Sequence, residues 1–334
     1  MNIDPKILAT VADLDTAAVV GLGTSTREAG ELVQLVAATI RLLVDRGFRL
    51  IAIQDSQRIG DLLDRYLLGE PVDLGVVLSQ AWGPWRTVET RDVLAGLRAR
   101  NAVHPGDPVR VMGLGPARVL PADYDRVVEL TGPHVVAALA PLRESHQHGE
   151  HVMRARGTHP GRPFVEVAGE VRATVTDPEA ARLMDAIVEH HANAIGVGHD
   201  AARGERDAAD RLLGRVAERV VIWDGSSHVA AHRSGMMGQH LSAALGAAYR
   251  AVLLTFVAGR IRDFDLPAPA PGSLEATLAP GVTKTAGIGE SRTRLISGVY
   301  DPSRDEDHYY LLPSLAEAFA AVALLPEISP TTPL

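Results

Sequence analysis

The stretch Ala17-Ala18-Val19-Val20-Gly21-Leu22-Gly23, running on into Thr24-Ser25-Thr26-Arg27-Glu28, decides the fold of this chain. A short, unbroken apolar run that closes on glycines is how a strand covered on both faces reads, and it predicts a strand from Leu14 to Gly23. Ser25-x-x-Glu28 has the form of a capping box. Leu32, Leu35, Val36, Thr39, Ile40 and Leu43 recur at helical spacing until Gly47 stops the pattern. Phe48 to Ile53 reads as a second buried strand, and Ile59 to Leu68 as a helix that ends at Gly69 with Pro71 beyond it. Strand, helix, strand, helix with short links is a right-handed βαβ unit on a mostly parallel sheet.

The same logic extends outward. Val88 to Arg100 reads as a helix capped near Thr87, Val109 to Leu114 as a third strand, and Val220 to Trp223 as a strand ending in Asp224-Gly225-Ser226-Ser227-His228. Met236 to Leu245 reads as a helix, Ala251 to Val257 as a strand, and Phe319 to Leu325 as a closing strand or helix. The region 121–215 is more helical, with Glu179 to Asn193 and Arg203 to Val216 its clearest helices. The expected architecture is α/β: a central, mostly parallel sheet flanked by helices, with a largely helical insert or second lobe. The expected division is 1–120 for the first part of the core, 121–215 for the helical lobe and 216–334 for the second part of the core.

Composition narrows the function. The net charge of −8 argues against a general nucleic-acid binder, which needs basic excess to displace counterions. With no cysteine there is no disulfide scaffold, thiolate nucleophile, Cys-ligated zinc or iron–sulfur cluster. Met1 to Lys6 has no basic segment followed by an apolar stretch, and no run reaches the roughly 18 apolar residues of a membrane span. The expectation is a cytoplasmic protein with no membrane partner. Lys6 and Lys284 are the only lysines, which leaves few Schiff-base candidates.

In an open parallel sheet, ligands bind beyond the carboxyl ends of the strands. That rule selects the loops 23–27, 54–56, 113–116 and 224–228, which bring Thr24, Thr26, Arg27, Gln54, Asp55, Asp224, Ser226 and His228. Gly21-x-Gly23 with Asp55 after the second strand is only a partial dinucleotide fingerprint, because Thr26 stands where a third glycine is expected. No cofactor is therefore expected. His146-x-His148-x-Glu150-His151 has the density of a metal site, but its Arg/Glu/Gln-rich surroundings read as a solvated helix or loop, and no metal is expected. No Gly-x-Ser-x-Gly elbow, Ser-x-x-Lys or His-Glu-x-x-His supports the usual serine hydrolase or zinc protease routes.

Several strings, in order along the chain, resemble the erythromycin esterase family: Val19 to Leu32, Gly47 to Gln54 with Asp64-Arg65-Tyr66, Trp82-x-x-Trp85-Arg86-Thr87-x-Glu89, Arg206-Asp207, Val221 to Ala230, Met237 to Leu241 and Gly272-Ser273-Leu274-Glu275. The resemblance implies a metal-independent hydrolase that activates water through carboxylates and histidines. Against that pattern, Thr24 stands in place of a glutamate, Arg27 in place of the base histidine, Gln54 in place of a second glutamate, Gly225 in place of a histidine and Ser226 in place of an asparagine; Glu31, Arg206 and His228 match.

Arginine stays protonated and glutamine has no titrating proton, so neither Arg27 nor Gln54 can take one from water. Losing a base removes roughly 10²–10⁴-fold of rate. The groups left to carry acid–base chemistry are His228, Asp55, Asp224 and Glu31. Arg27, Thr24, Thr26, Gln54, Trp82, Trp85, Arg86, Arg206 and Ser226 are expected to bind substrate, a polyketide or peptide metabolite. Three readings follow: a repurposed natural-product tailoring enzyme performing an elimination, cyclisation or isomerisation; a carboxylic ester hydrolase with relocated catalytic groups; and an inactive small-molecule-binding protein.

Overall fold

A computed structural model describes residues 3–334. Its main sheet contains β1 (Val19–Thr24), β2 (Leu50–Ser56), β3 (Arg110–Gly115), β4 (Val220–Gly225), β5 (Tyr249–Ile261), β6 (Phe264–Asp265), β7 (Gly281–Lys284) and β10 (Ala321–Ile328). The order is β3-β2-β4-β1-β5-β10-β7, with β6 on the distal part of β5. β1 lies parallel between β4 and β5, β2 is parallel to β3 and β4, and β10 is parallel to β5. Only β7 and β6 run antiparallel to their partners. A separate ribbon pairs β8 (Ser291–Arg294) with β9 (Tyr309–Leu312).

The sheet is mostly parallel because each central strand is apolar on both sides. β1 and β4 are buried at every position, as strands covered by helices on both faces must be. One layer is built on Leu22, Val36, Ile53 and Phe256, the other on Val19, Ile222, Leu253 and Phe319. The helix Gly30–Asp45 buries Leu32, Val33, Val36, Ile40 and Leu43, and each such side chain contributes about 1.5–3 kcal/mol of transfer free energy. The helices between Pro121 and Ala192 close around a third apolar cluster that includes Tyr124, Phe164, Met184 and Ile187.

Two element boundaries differ from the sequence reading. The first strand begins at Val19, because Asp13 takes a left-handed φ of 53° and Leu14–Thr16 forms a 3₁₀ turn. The next helix begins at Gly30 with Ala29 at its N-cap, so Ser25 caps nothing. Its start is pinned instead by the end of the chain: Gly30 N donates to Ser329 O at 2.9 Å, and Ala29 bridges Pro330. The consequence is functional. Ser25 to Ala29 becomes a connecting loop, and Arg27 projects from it at the carboxyl ends of the strands. Phe319 to Leu325, left open between strand and helix, is resolved as a strand over Ala321–Ile328.

Candidate functional site

The carboxyl ends of β1, β2 and β4 bring Arg27, Gln54, Asp224 and His228 into one polar cluster. The Arg27 Nη2 donates to both Gln54 Oε1 and Asp224 Oδ1. Asp224 is almost fully buried and also accepts from its neighbour, Gly225 N, at 2.5 Å. Trp82 lies 5.1 Å from the guanidinium carbon and covers one face of it. Trp85 is buried against Trp223 with ring centroids 4.9 Å apart, and its Nε1 donates to Gln54 O at 3.0 Å. Trp82 therefore belongs to the site's wall, whereas Trp85 is a core residue that fixes the backbone under Gln54.

His228 sits on the single helical turn Ser226–Val229 that follows β4. Gly23 makes the room for that turn: a Cβ there would fall 2.5 Å from Val229 Cγ2 and 2.8 Å from Ser226 Cα. The imidazole is held from both sides, with Nδ1 2.6 Å from Glu205 Oε1 and Nε2 3.1 Å from Gln54 Nε2. The proton positions follow from the partners. A guanidinium only donates, so it must face the Gln54 carbonyl; the amide nitrogen then donates to His228 Nε2, and Nδ1 carries the hydrogen given to Glu205. The other oxygen of Glu205 accepts Met237 N at 2.8 Å.

Two influences on His228 oppose each other. Burial lowers its pKa, but Asp224 and the bonded Glu205 outweigh burial and raise it above the ordinary histidine value. A second proton on Nε2 would meet the Gln54 amide donor to donor. Protonation therefore requires Gln54 to leave one of its two partners. On Glu205, burial pushes upward and is the largest single influence, but the bond to His228, the charge of its imidazolium, the Met237 N–H and Arg233 together outweigh it, so the carboxylate lies below its usual range.

The remaining expected site residues divide. Thr24 donates to Asp224 O at 3.4 Å, and Ser226 accepts from Tyr310 OH at 3.0 Å; both are buried at the cluster's floor. Thr26 accepts from Glu28 N at 3.2 Å and organises the loop. Asp55 turns away from His228: its oxygens accept Ser56 N at 2.6 Å and Trp82 N at 2.9 Å. Burial raises its pKa to about 6, against the pull of those two N–H groups and of Arg86 and Arg118. Arg86 donates through Nε to Ala81 O at 2.8 Å. Glu31 is not brought into the cluster; it accepts Ser329 N at 2.7 Å and ties the first long helix to the end of the chain. Arg206 is exposed.

The expected partner of His228, Asp55 or Asp224, is thus replaced by Glu205. Its signal was present in the sequence: Glu205 stands three, four and seven residues before Ala208, Ala209 and Leu212, the buried stripe of the helix Ala201–Leu213. A carboxylate on a buried stripe calls for a partner. The His146 to His151 segment also differs from the expected solvated stretch. Glu150 is buried and bonded to His159 at 3.0 Å, while His146 stacks on His190 at 4.7 Å and contacts Tyr124 OH at 3.1 Å. Those residues diverge, and among the described residues no group of three or more His, Asp or Glu side chains is arranged to hold a metal.

An enclosed apolar void of about 20 Å³ lies under the sheet between Ile53, Trp85 and Trp223; it is a packing gap in the core, apart from the polar cluster. Among the described residues no helix is long and apolar enough to cross a membrane.

A mostly parallel sheet flanked by helices, with its polar cluster at the carboxyl ends of the strands, defines an α/β protein with a strand-end site. A family model described as erythromycin esterase matches residues 43–328, and the chain belongs to that family. Three solved structures share its fold. A Bacillus cereus protein is 16% identical, with a TM-score of 0.67 over 99% of this chain and 93% of its own. A succinoglycan biosynthesis protein is 17% identical, with a TM-score of 0.64 over 98% and 91%. A mutant of the erythromycin esterase EreC in its open conformation is 16% identical, with a TM-score of 0.58 over 98% and 94%. No curated protein sequence matches the chain.

Proposed function

We propose that this protein is an erythromycin-esterase-like enzyme with an altered site, in which His228 moves a proton on a small molecule without activating water. The observation that carries the reading is the His228–Glu205 pair. A base needs a second group to fix its tautomer, and the 2.6 Å contact leaves Nε2 as the working nitrogen, turned toward Gln54 and Arg27. Arg27 supplies the complementary charge: its side chain keeps 14% exposure at the same strand ends, where the guanidinium can face an oxygen that gains negative charge. Proton abstraction beside a carbonyl fits this pair. In an elimination, Nε2 takes the carbon-bound proton, Arg27 holds the developing oxyanion, and the imidazolium returns the proton to the departing hydroxyl. An isomerisation or cyclisation uses the same transfers with no net loss. A natural-product tailoring step on a polyketide or peptide metabolite is the corresponding role.

A second reading has its own support. Gln54 already occupies His228 Nε2, and Asp224 already neutralises Arg27, as in a site that binds without turning over. One experiment separates the readings. The protein is incubated with a small-molecule extract of its producing cells, beside His228→Ala, and masses are compared. Loss of about 18 Da, or a new chromatographic peak of unchanged mass, formed at least about tenfold more slowly by the variant, supports elimination or isomerisation. A gain of about 18 Da supports a hydrolase with relocated groups, and ligand retention without conversion supports the binding protein.

A further inference from the structure

Beside the His228 cluster lies an excess of positive charge that the proposed chemistry does not use. Arg86 follows the 3₁₀ turn Gly83–Trp85, and Arg118 lies in the loop after β3. Both are anchored on the flanks of Asp55. Arg86 Nε is bonded to Ala81 O, next to the Trp82 N–H that Asp55 accepts, and Arg118 N donates at 3.1 Å to Oγ of Ser56, the residue after Asp55. The helix Val136–His148 closes a third side, since the Gly83 backbone packs directly on Gln147 O.

Neither guanidinium has an ion-pair partner among the described residues, and Arg86 Nη2 is buried with no hydrogen bond at all. Most other arginines among the described residues are paired to a carboxylate; Arg58, two residues beyond Ser56, bonds Asp123 through both of its terminal nitrogens. Arg86 is half-buried, and burial lowers its pKa; Arg118 is an exposed residue at the edge of the same cluster, its pKa lowered in the same direction, and Asp55 is the carboxylate whose field reaches both. Asp55 spends its oxygens on backbone N–H groups. The nearby imidazoles are held neutral and supply no counter-charge: burial, with His190, His191 and the two arginines, holds His146 well below its usual value, and burial with Arg118 lowers His190 to about 4. His190 stacks on His146 and makes no hydrogen bond of its own among the described residues, so its ring N–H is a further free donor. Positive charge drawn out of water without a counter-charge is costly unless something negative completes it.

We infer that Arg86 and Arg118 form a second subsite that receives an oxyanion, a carboxylate or a sulfate or phosphate ester, borne by the small-molecule ligand. The inference rests on the preceding section only in treating that anion as part of a substrate; the subsite itself is independent of turnover. Its place beside Asp55, one residue from Gln54, means that one end of the ligand is held by charge while another part meets His228.

The test is a calorimetric titration of the full-length protein with sodium sulfate and, in parallel, sodium malonate, at constant ionic strength. Saturable binding is expected. Arg86→Gln and Arg118→Gln should each weaken it at least about tenfold, the worth of one charged hydrogen bond. Arg91→Gln, on an exposed arginine paired with Asp92, should leave it unchanged. The tighter of the two anions identifies the ester or the carboxylate class. If Arg86→Gln unfolds, Arg118→Gln at the rim still decides the matter. No saturable binding of either anion, or binding indifferent to both substitutions, overturns the inference. His228→Ala should retain anion binding, so a failure of the proton-transfer reading and a failure of the subsite give different results.

Discussion

Glu205→Gln probes the centre of the site with an almost isosteric change. In the folded protein Glu205 and His228 are both largely buried, with side-chain exposures of 15% and 24%, and their polar atoms are 2.6 Å apart. Two unit charges with centres about 4 Å apart, in an effective dielectric near 20, interact by about 4 kcal/mol, or roughly three pKa units. The field of Arg27 and the donor of Gln54 already oppose protonation, so part of that attraction is offset. The expected result is a fall of about one to two units in the His228 titration midpoint. Histidine NMR reads it directly, with the His228 signal assigned by its absence from His228→Ala. A second effect follows from donor counting. The two carboxylate oxygens accept His228 Nδ1–H and Met237 N–H. An amide has one acceptor, so one buried donor is orphaned, at a cost of about 1–3 kcal/mol in urea denaturation. An unchanged His228 midpoint would refute the dyad and, with it, the assignment of Nε2 as the working nitrogen.

Three other outcomes follow from the same geometry. Arg27→Ala strands the buried Asp224 charge and should cost about 3–5 kcal/mol of unfolding free energy, most of it regained in Arg27→Ala/Asp224→Asn; equal stability of the two variants in denaturant melts would contradict the pairing. Burial lowers His190 to about 4 and His191 to about 3, so between pH 6.5 and 4 the unfolded chain takes up protons that the folded chain refuses. Stability should therefore decline with falling pH, by on the order of 2 kcal/mol per histidine at pH 4.5, and the urea midpoint of His190→Gln should decline less. Rebuilding the family pattern as Arg27→His, Gln54→Glu and Gly225→His should create or raise hydrolysis of an aryl ester. Gly225→Ala alone should disturb the wild-type site, because a Cβ at residue 225 would stand 2.9 Å from Arg27 Nη2. No gain in the triple variant would mean that these positions do not correspond to the family's water-activating groups.

The sheet was readable because β1, β2 and β4 are apolar on both faces, and a run such as Val19 to Leu22 has no other stable place. The strand-end rule then placed Arg27, Gln54, Asp224 and His228 in one region without any family knowledge. Pairing was not readable in the same way. On the helix Ala201–Leu213, Arg203, Glu205, Arg206, Asp207, Asp210 and Arg211 are equivalent as a string of charges. Only the burial of Ala208, Ala209 and Leu212 separates Glu205 from exposed Arg206. Ser25 is an instructive miss: its capping signal was genuine chemistry, but contacts to Ser329 and Pro330, some 300 residues away, set where the helix starts. His146 was read as solvated for the same reason. Its local sequence is polar, and its cover is His190 from a helix three elements later.

Gly23 has a consequence beyond fit. The turn bearing His228 packs on bare backbone, so the place of its main chain is set by Gly23 and Val229, while Glu205 and Gln54 orient the ring itself. Exchanges at residues 27, 54 and 225 can then change what surrounds the ring while leaving the turn that carries it in place. Such a mount lets one scaffold give up one reaction and take on another through side chains alone, and a bulky residue at position 23 should disable every version of the site alike.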